Sequence, residues 1–200
     1  MNQIEMNQLK QIDPASLAFD IDGVVADIMT LFIDIARIRF DIDHIGYNDV
    51  TRYNLEECLD IDPNIINMVI DDILTGNYAV SLKPVLGAGE VLTRINQQQS
   101  PVLFVTARPS QGSLLSWMEE TLLLPAACAK IIATGSFEAK ADELKQRDIS
   151  VFVDDRLETC FDLAQAGITP ILFKQPWNRE KHPFMEVGSW QELESLIEFK

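Results

Sequence analysis

Histidine and cysteine are scarce in this chain of 200 residues, which carries two histidines, His44 and His182, and three cysteines, Cys58, Cys128 and Cys160. The cysteines are odd in number and widely spaced, with no CxxC. That excludes a disulfide framework and a zinc site, and it reads as a protein kept inside the cell, a cytoplasmic one. Two histidines leave little room for imidazole metal chemistry. Positive charge is also short: Lys plus Arg total 16 against 31 for Asp plus Glu, a net charge of −15. Such a surface repels phosphate backbones, so no nucleic acid polymer is expected as a partner. A small anionic ligand stays compatible, provided a metal or local cations offset the field. Long apolar runs are missing too. The richest, VVADIMTLFIDIA, is broken by Asp27 and Asp34, so neither a span nor a membrane partner is expected. The opening MNQIEMNQLKQIDP lacks the basic start and apolar centre of a signal peptide.

What is present suits one domain, or one domain with an insertion. A hydrophobic fraction of 47% is enough for a real core. Five short runs rich in Val, Ile, Leu and Phe read as strands, at 16–21, 102–106, 130–133, 150–154 and 170–173. They alternate little, as strands buried on both faces do. Helical segments at 111–123, 138–147 and 157–165 separate the later strands, and Gly167 is a stop for the last. Strand–helix alternation implies an α/β fold, a parallel sheet with helices on both faces. One interval departs from the rhythm. From Val24 to about Pro84 no strand is evident, while Ile28, Leu31, Phe32, Ile35 and Ile38 have helical spacing. Asp62-Pro63 looks like an N-cap with proline at the first helical position, the stretch 64–74 continues that helix, and Gly76 ends it. This is a helical insertion after the first strand, about 60 residues long and too large for a simple connection. A helix at 87–98 leads back into the sheet.

Four stretches carry chemistry. In Asp20-Ile21-Asp22-Gly23-Val24 two carboxylates close an apolar run. Residues two apart in an extended chain share a face, and open parallel sheets bind ligands at the carboxyl ends of their strands. Two acids held there need a counter-charge, and a hard cation such as Mg²⁺ suits oxygen ligands. Gly23 allows a tight turn. An acidic turn and a calcium loop use the same spacing. In LFVTARP the strand ends in Thr106, followed by the amide of Ala107; a threonine there also caps helices. Lys140 lies in the opening turn of a helix, where the dipole disfavours a cation, unless its ammonium reaches inward to an anion. Lys130 and Lys145 are its rivals, the first at the wrong strand end, the second mid-helix. In FVDDR a strand again ends in adjacent acids, Asp154 and Asp155; capping of the following helix explains one more easily than both. In a parallel sheet these strand ends share one edge, so acids, hydroxyl, cation and acids converge.

In this order, DIDGV, FVTA, Lys140 and FVDD, the chain resembles the haloacid dehalogenase-like superfamily of phosphotransferases. The resemblance covers nearly the whole chain. It implies a Rossmann-like sheet of strand order 3-2-1-4-5, with a catalytic core at 1–23 and 84–200 and a small helical cap at 24–83. It implies further that Asp20 is the nucleophile forming an aspartyl-phosphate, and that Asp22 is the acid that protonates the leaving oxygen and then the base that activates water. Thr106 and the amide of Ala107 would bind the phosphoryl group and Lys140 would neutralise it. Asp155 would bind Mg²⁺ with Asp20 and the backbone carbonyl of Asp22, and Asp154 would join directly or through water. Asp22 must be protonated near neutral pH to act as an acid, which neighbouring carboxylates and partial burial would favour.

FKQPWNR at 173–179, TARP at 106–109 and Tyr53-Asn54-Leu55 in the insertion are similar to the 5′-deoxyribonucleotidase-like branch. This implies a small phosphorylated metabolite as partner, a nucleoside monophosphate or a similar ester. A phosphatase of sugar or other metabolite phosphates is the alternative, and packing against the sheet edge is the simple reading of Trp177. A non-catalytic phospho-receiver places its acid pair first, whereas DD comes last here, and has no place for the insertion. A phosphonatase needs a cap lysine, and none lies between Val24 and Val80. A binding module would not need every one of these positions filled.

Overall fold

The computed structural model describes residues 11–199. Five strands form where the apolar runs lie: β1 (Leu17–Phe19), β2 (Val102–Thr106), β3 (Ala129–Ala133), β4 (Val151–Asp154) and β5 (Thr169–Phe173). All neighbouring pairs are parallel, and the sheet order is β3-β2-β1-β4-β5 followed by a sixth strand, β6 (Met185–Val187). β6 pairs with β5 from Ile171 opposite Met185 to Phe173 opposite Val187. It extends the expected order by one edge strand. Three residues with a central Glu186 make no apolar run, so nothing in the local pattern announces it.

Alternation within the strands divides the core. Phe19, Val102, Phe104, Val153 and Phe173 face one layer; Ala18, Leu103, Val105 and Phe152 face the other. The first layer is covered by α3 (Ala88–Gln98), α4 (Leu114–Thr121) and α7 (Trp190–Glu194), the second by α5 (Lys140–Lys145) and α6 (Leu157–Gln165). Both α4 and α5 are shorter than the apolar spacing predicts. Gly112, at φ +46°, keeps the chain in a turn until Leu114. The strand β1 is shorter as well, yet the Asp20 amide still donates to Val153 O at 2.8 Å. The ladder thus reaches the first acid, and Ile21 begins the turn beyond it.

The interval after β1 contains α1 (Ile28–Phe40) and α2 (Pro63–Thr75). Asp27 caps α1, accepting from the Thr30 amide at 3.2 Å and its hydroxyl at 2.7 Å. Asp62 caps α2 with Pro63 behind it, and Gly76 closes that helix at φ +76°. The chain leaves and returns through a narrow neck. The Asp27 amide donates to Lys83 O and the Val85 amide to Val25 O, at 2.9 and 2.8 Å. Leu31, Phe32 and Ile35 of α1 and Ile66, Val69 and Ile73 of α2 are buried in the same core layer as Phe19 and Phe104.

Candidate active site

The register fixes the rim. Phe19 is level with Phe104 on one side and Val153 on the other, so Asp20 emerges beside Asp154, with Thr106 ending β2 nearby. Asp20, Asp154 and Asp155 are buried, and each offers a carboxylate oxygen within 4.8 Å of the others. Lys140, the first residue of α5, is fully buried. Its Nζ lies 2.8 Å from Asp154 Oδ2 and 3.1 Å from Asp20 Oδ2. A lysine at a helix start, unfavourable against the dipole, is explained by these two ion pairs. Lys130, by contrast, lies exposed in β3, outside the cluster.

One ammonium does not balance three carboxylates. Burial, with the charges of Asp154 and Asp22 added and Lys140 opposing, pushes Asp20 up to about 7. Burial and the charges of Asp154 and Asp20 likewise raise Asp155 well above the usual carboxylate range. Burial alone would lower Lys140, but Asp154 and Asp20 outweigh it and hold its pKa above the ordinary lysine value. Asp20 Oδ1 is buried with no hydrogen-bond partner. A carboxylate with an orphaned oxygen, clustered with two further carboxylates, is a donor set that fits a hard divalent cation.

The two members of the acid pair differ. Asp154 has both oxygens engaged, Oδ2 by Lys140 and Oδ1 by the Arg156 amide at 2.8 Å. The latter is a turn bond to Arg156, the residue before α6, which has no side-chain cap, so neither member of the pair caps that helix as the sequence allowed. Asp155 Oδ2 accepts from Trp177 Nε1 at 2.9 Å. Gly23, at φ +77°, is required here: a Cβ on it would lie 2.2 Å from Asp155 Oδ2.

The carboxylate of Asp22 stands outside the three-acid cluster. Its oxygens accept from Arg108 Nε and Nη2 at 2.8 and 2.7 Å, a fork that satisfies both. The fork sets a buried guanidinium against Asp22, a partner the sequence did not indicate. Thr106 is buried, and its Oγ1 accepts from the Arg108 amide at 3.3 Å rather than capping α4. Ala107, half-buried, lies between them. Arg108 is a site residue that spacing did not single out, although it stands within TARP. Trp177 is buried as the packing reading requires, but its indole N–H serves the site as well. A cavity of about 200 Å³ opens beside Asp22 and Asp155 and is lined mainly by apolar side chains of the insertion, among them Met29, Phe32, Leu55 and Ile73, with Arg52 and Tyr53. Tyr53 also packs edge-on against Phe137 and lies under the Arg156 guanidinium.

A parallel sheet of this order, with a lysine bridging the acid after the first strand to the acid that ends the fourth, defines a hydrolase of the haloacid dehalogenase-like superfamily. The chain belongs to the family of the 5′ nucleotidase, deoxy (Pyrimidine), cytosolic type C protein, whose family model matches residues 14–200. It is thus a phosphoric monoester hydrolase of the nucleotidase type. A protein of Clostridium acetobutylicum named nucleotidase is 21% identical over 192 residues, 94% of this chain and 95% of that one. Among solved structures, a hydrolase of the same superfamily from Ehrlichia chaffeensis superposes with a TM-score of 0.57 at 14% identity, covering 91% of this chain and 95% of its own. CbbY from Rhodobacter sphaeroides, solved with phosphate, gives 0.55 at 15% identity over 88% of this chain and 95% of its own. Among the described residues no helix is long and apolar enough to cross a membrane.

Proposed function

We propose that the protein is a Mg²⁺-dependent, cytoplasmic phosphatase of small phosphate monoesters that works through an aspartyl-phosphate on Asp20, with nucleoside monophosphates as its preferred class. The observation that carries this reading is the buried, partnerless Oδ1 of Asp20, a residue clustered with Asp154 and Asp155. Asp20, Asp155 and the backbone carbonyl of Asp22 would hold the ion, with Asp154 beside them. The engagement of both Asp154 oxygens favours Asp155 as the direct ligand of the pair. When bound, the ion supplies positive charge that offsets the crowded carboxylates and the phosphoryl oxygens.

Asp20 attacks phosphorus in line with the ester oxygen, and carboxylate attack splits one difficult displacement into two easier ones. The Thr106 hydroxyl and the Ala107 amide bind phosphoryl oxygens, and Lys140 balances their charge. Asp22 gives a proton to the departing oxygen, then takes one from the water that cleaves the aspartyl-phosphate. The Arg108–Asp22 fork is the resting arrangement; when the ester displaces Arg108, Asp22 takes up a proton from solvent and then passes it to the departing oxygen.

Residues 24–83 act as a cap over the core assigned to 1–23 and 84–200, of which 1–10 and 200 lie outside the described residues. Two observations support this: the narrow neck at Ala26 and Pro84, and the cavity wall contributed by α1 and α2. An apolar chamber suits the flat face of a nucleobase better than a chain of sugar hydroxyls, each of which would lose water without a partner. The solved CbbY structure holds phosphate, in keeping with a phosphate ester as ligand here. The test is phosphate release in Mg²⁺ over a panel of ribo- and deoxyribonucleoside monophosphates, sugar phosphates and an aryl phosphate. Nucleotides should lead, and EDTA should abolish turnover of all. Equal rates across the panel would remove the nucleotide preference and leave the phosphatase. No release from any ester would remove both.

A further inference from the structure

We propose that Trp177 is a positioning residue for the metal centre: its indole N–H locks the Asp155 carboxylate in the orientation that receives the divalent cation. The proposal rests on the metal-dependent reading above. Asp155 sits among like charges, Asp20 and Asp154, and left to itself its carboxylate would turn away from them. Three contacts prevent that. Trp177 Nε1 donates to Oδ2 at 2.9 Å, leaving the other oxygen for an ion. Asn178 Nδ2 donates to the Asp155 backbone carbonyl at 2.7 Å and to Phe173 O at 2.8 Å, fixing the residue at the strand end. Gln175 Nε2 donates to Gly23 O at 2.6 Å and so pins the opposing turn, whose missing side chain makes room for the carboxylate.

The indole is itself held. Trp177 is buried, its ring lies 5.8 Å from that of Tyr47, and the Tyr47 hydroxyl donates to Gln175 Oε1 at 2.7 Å. The segment after β5 is thus a bracket between the insertion and the acid pair. The chain's other two tryptophans donate elsewhere, Trp117 to Leu82 O and Trp190 to Val24 O. Only Trp177 donates to a carboxylate. Groups that orient metal ligands in this way change metal affinity about 10–100-fold when removed.

The experiment is calorimetric titration of the full chain with MgCl₂ alone, without substrate. Trp177→Phe keeps the apolar packing and lacks the donor; it should bind Mg²⁺ about 10–100-fold more weakly than wild type. Trp177→His restores a ring N–H and should recover part of that loss. Saturating Mg²⁺ should also shift the tryptophan emission of the wild type, because the charge opposite the indole N–H changes, and the shift should vanish in Trp177→Phe. Unchanged affinity in Trp177→Phe, or equal losses in the Phe and His variants, would overturn the proposal. If Trp177→Phe does not fold, a wild-type emission that ignores saturating Mg²⁺ would do the same. A wild type that binds no Mg²⁺ would instead remove the metal-dependent reading beneath it.

Discussion

Replacing Lys140 by Met removes the only ammonium among the described residues that faces the buried acids, while nearly preserving volume. Its Nζ makes ion pairs of 2.8 and 3.1 Å with Asp154 and Asp20, and at an effective dielectric of about 20 each attraction is worth roughly 5 kcal/mol before desolvation. Much of that is offset by the burial of the ammonium itself. Breaking a buried pair from one side destabilises by about 3–5 kcal/mol, because the partner charge is left uncompensated. For a chain of this size that lowers Tm by roughly 10 °C in EDTA. Saturating Mg²⁺ should recover much of the loss, since Asp20 would regain a cation. Lys130→Met, at an exposed position in β3, should stay within about 0.5 kcal/mol of wild type. The assay is thermal and urea unfolding of the three proteins with EDTA and with Mg²⁺. A Lys140→Met protein less than about 1 kcal/mol below wild type in EDTA would refute the reasoning, because it would mean that the acids do not depend on this ammonium.

Other outcomes follow from the same geometry. Asp20 in the folded protein titrates at about 7 against an ordinary 3.8, so between those values the folded state keeps a proton that the unfolded state has released. Metal-free stability should therefore fall as pH rises through that window and level off above it. Mg²⁺ or Asp20→Asn should flatten the slope, and a flat wild-type profile in EDTA would contradict the account. Gly23→Ala forces a side chain into a φ of +77° and places its Cβ 2.2 Å from Asp155 Oδ2. It should lose about 1–2 kcal/mol of stability from the backbone alone and should bind Mg²⁺ at least tenfold more weakly by calorimetry; wild-type affinity would show that Asp155 is not the ligand. Asp20→Asn should fold as well as wild type and release no phosphate, whereas turnover at the wild-type rate would move the nucleophile elsewhere.

The acids and the lysine were legible because each sits where local physics disfavours it. Paired carboxylates closing an apolar strand and a cation in the first turn of a helix both call for an explanation outside their own segment. The parallel sheet was legible for a related reason: strands buried on both faces are apolar throughout, and the register then fixes which tips meet. What could not be read has its partner far along the chain. Arg108 and Asp22 are 86 residues apart, and Gln175 and Gly23 are 152 apart; no spacing encodes such a contact. Trp177 was legible as a buried ring, since a Pro-Trp after an apolar strand packs against its edge. Its N–H was not, because a ring's burial says nothing of which acceptor lies opposite its nitrogen. β6 escaped because a strand of three residues has no period to detect. The late start of α4 follows from turn geometry at Gly112 and that of α5 from the turn closed by the Lys140 amide on Phe137 O, neither of which the apolar pattern contains.

The most direct measurement concerns covalent chemistry at one oxygen. Asp22→Asn protein mixed with an aryl phosphate in Mg²⁺, quenched in acid and digested, should yield a peptide containing Asp20 heavier by one phosphoryl group, because the leaving group departs without an acid while the water lacks its base. The modification should be absent from Asp20→Asn. Turnover without such a peptide, or a phosphoryl group on any other residue, would contradict the claim that the carboxylate ending β1 attacks phosphorus.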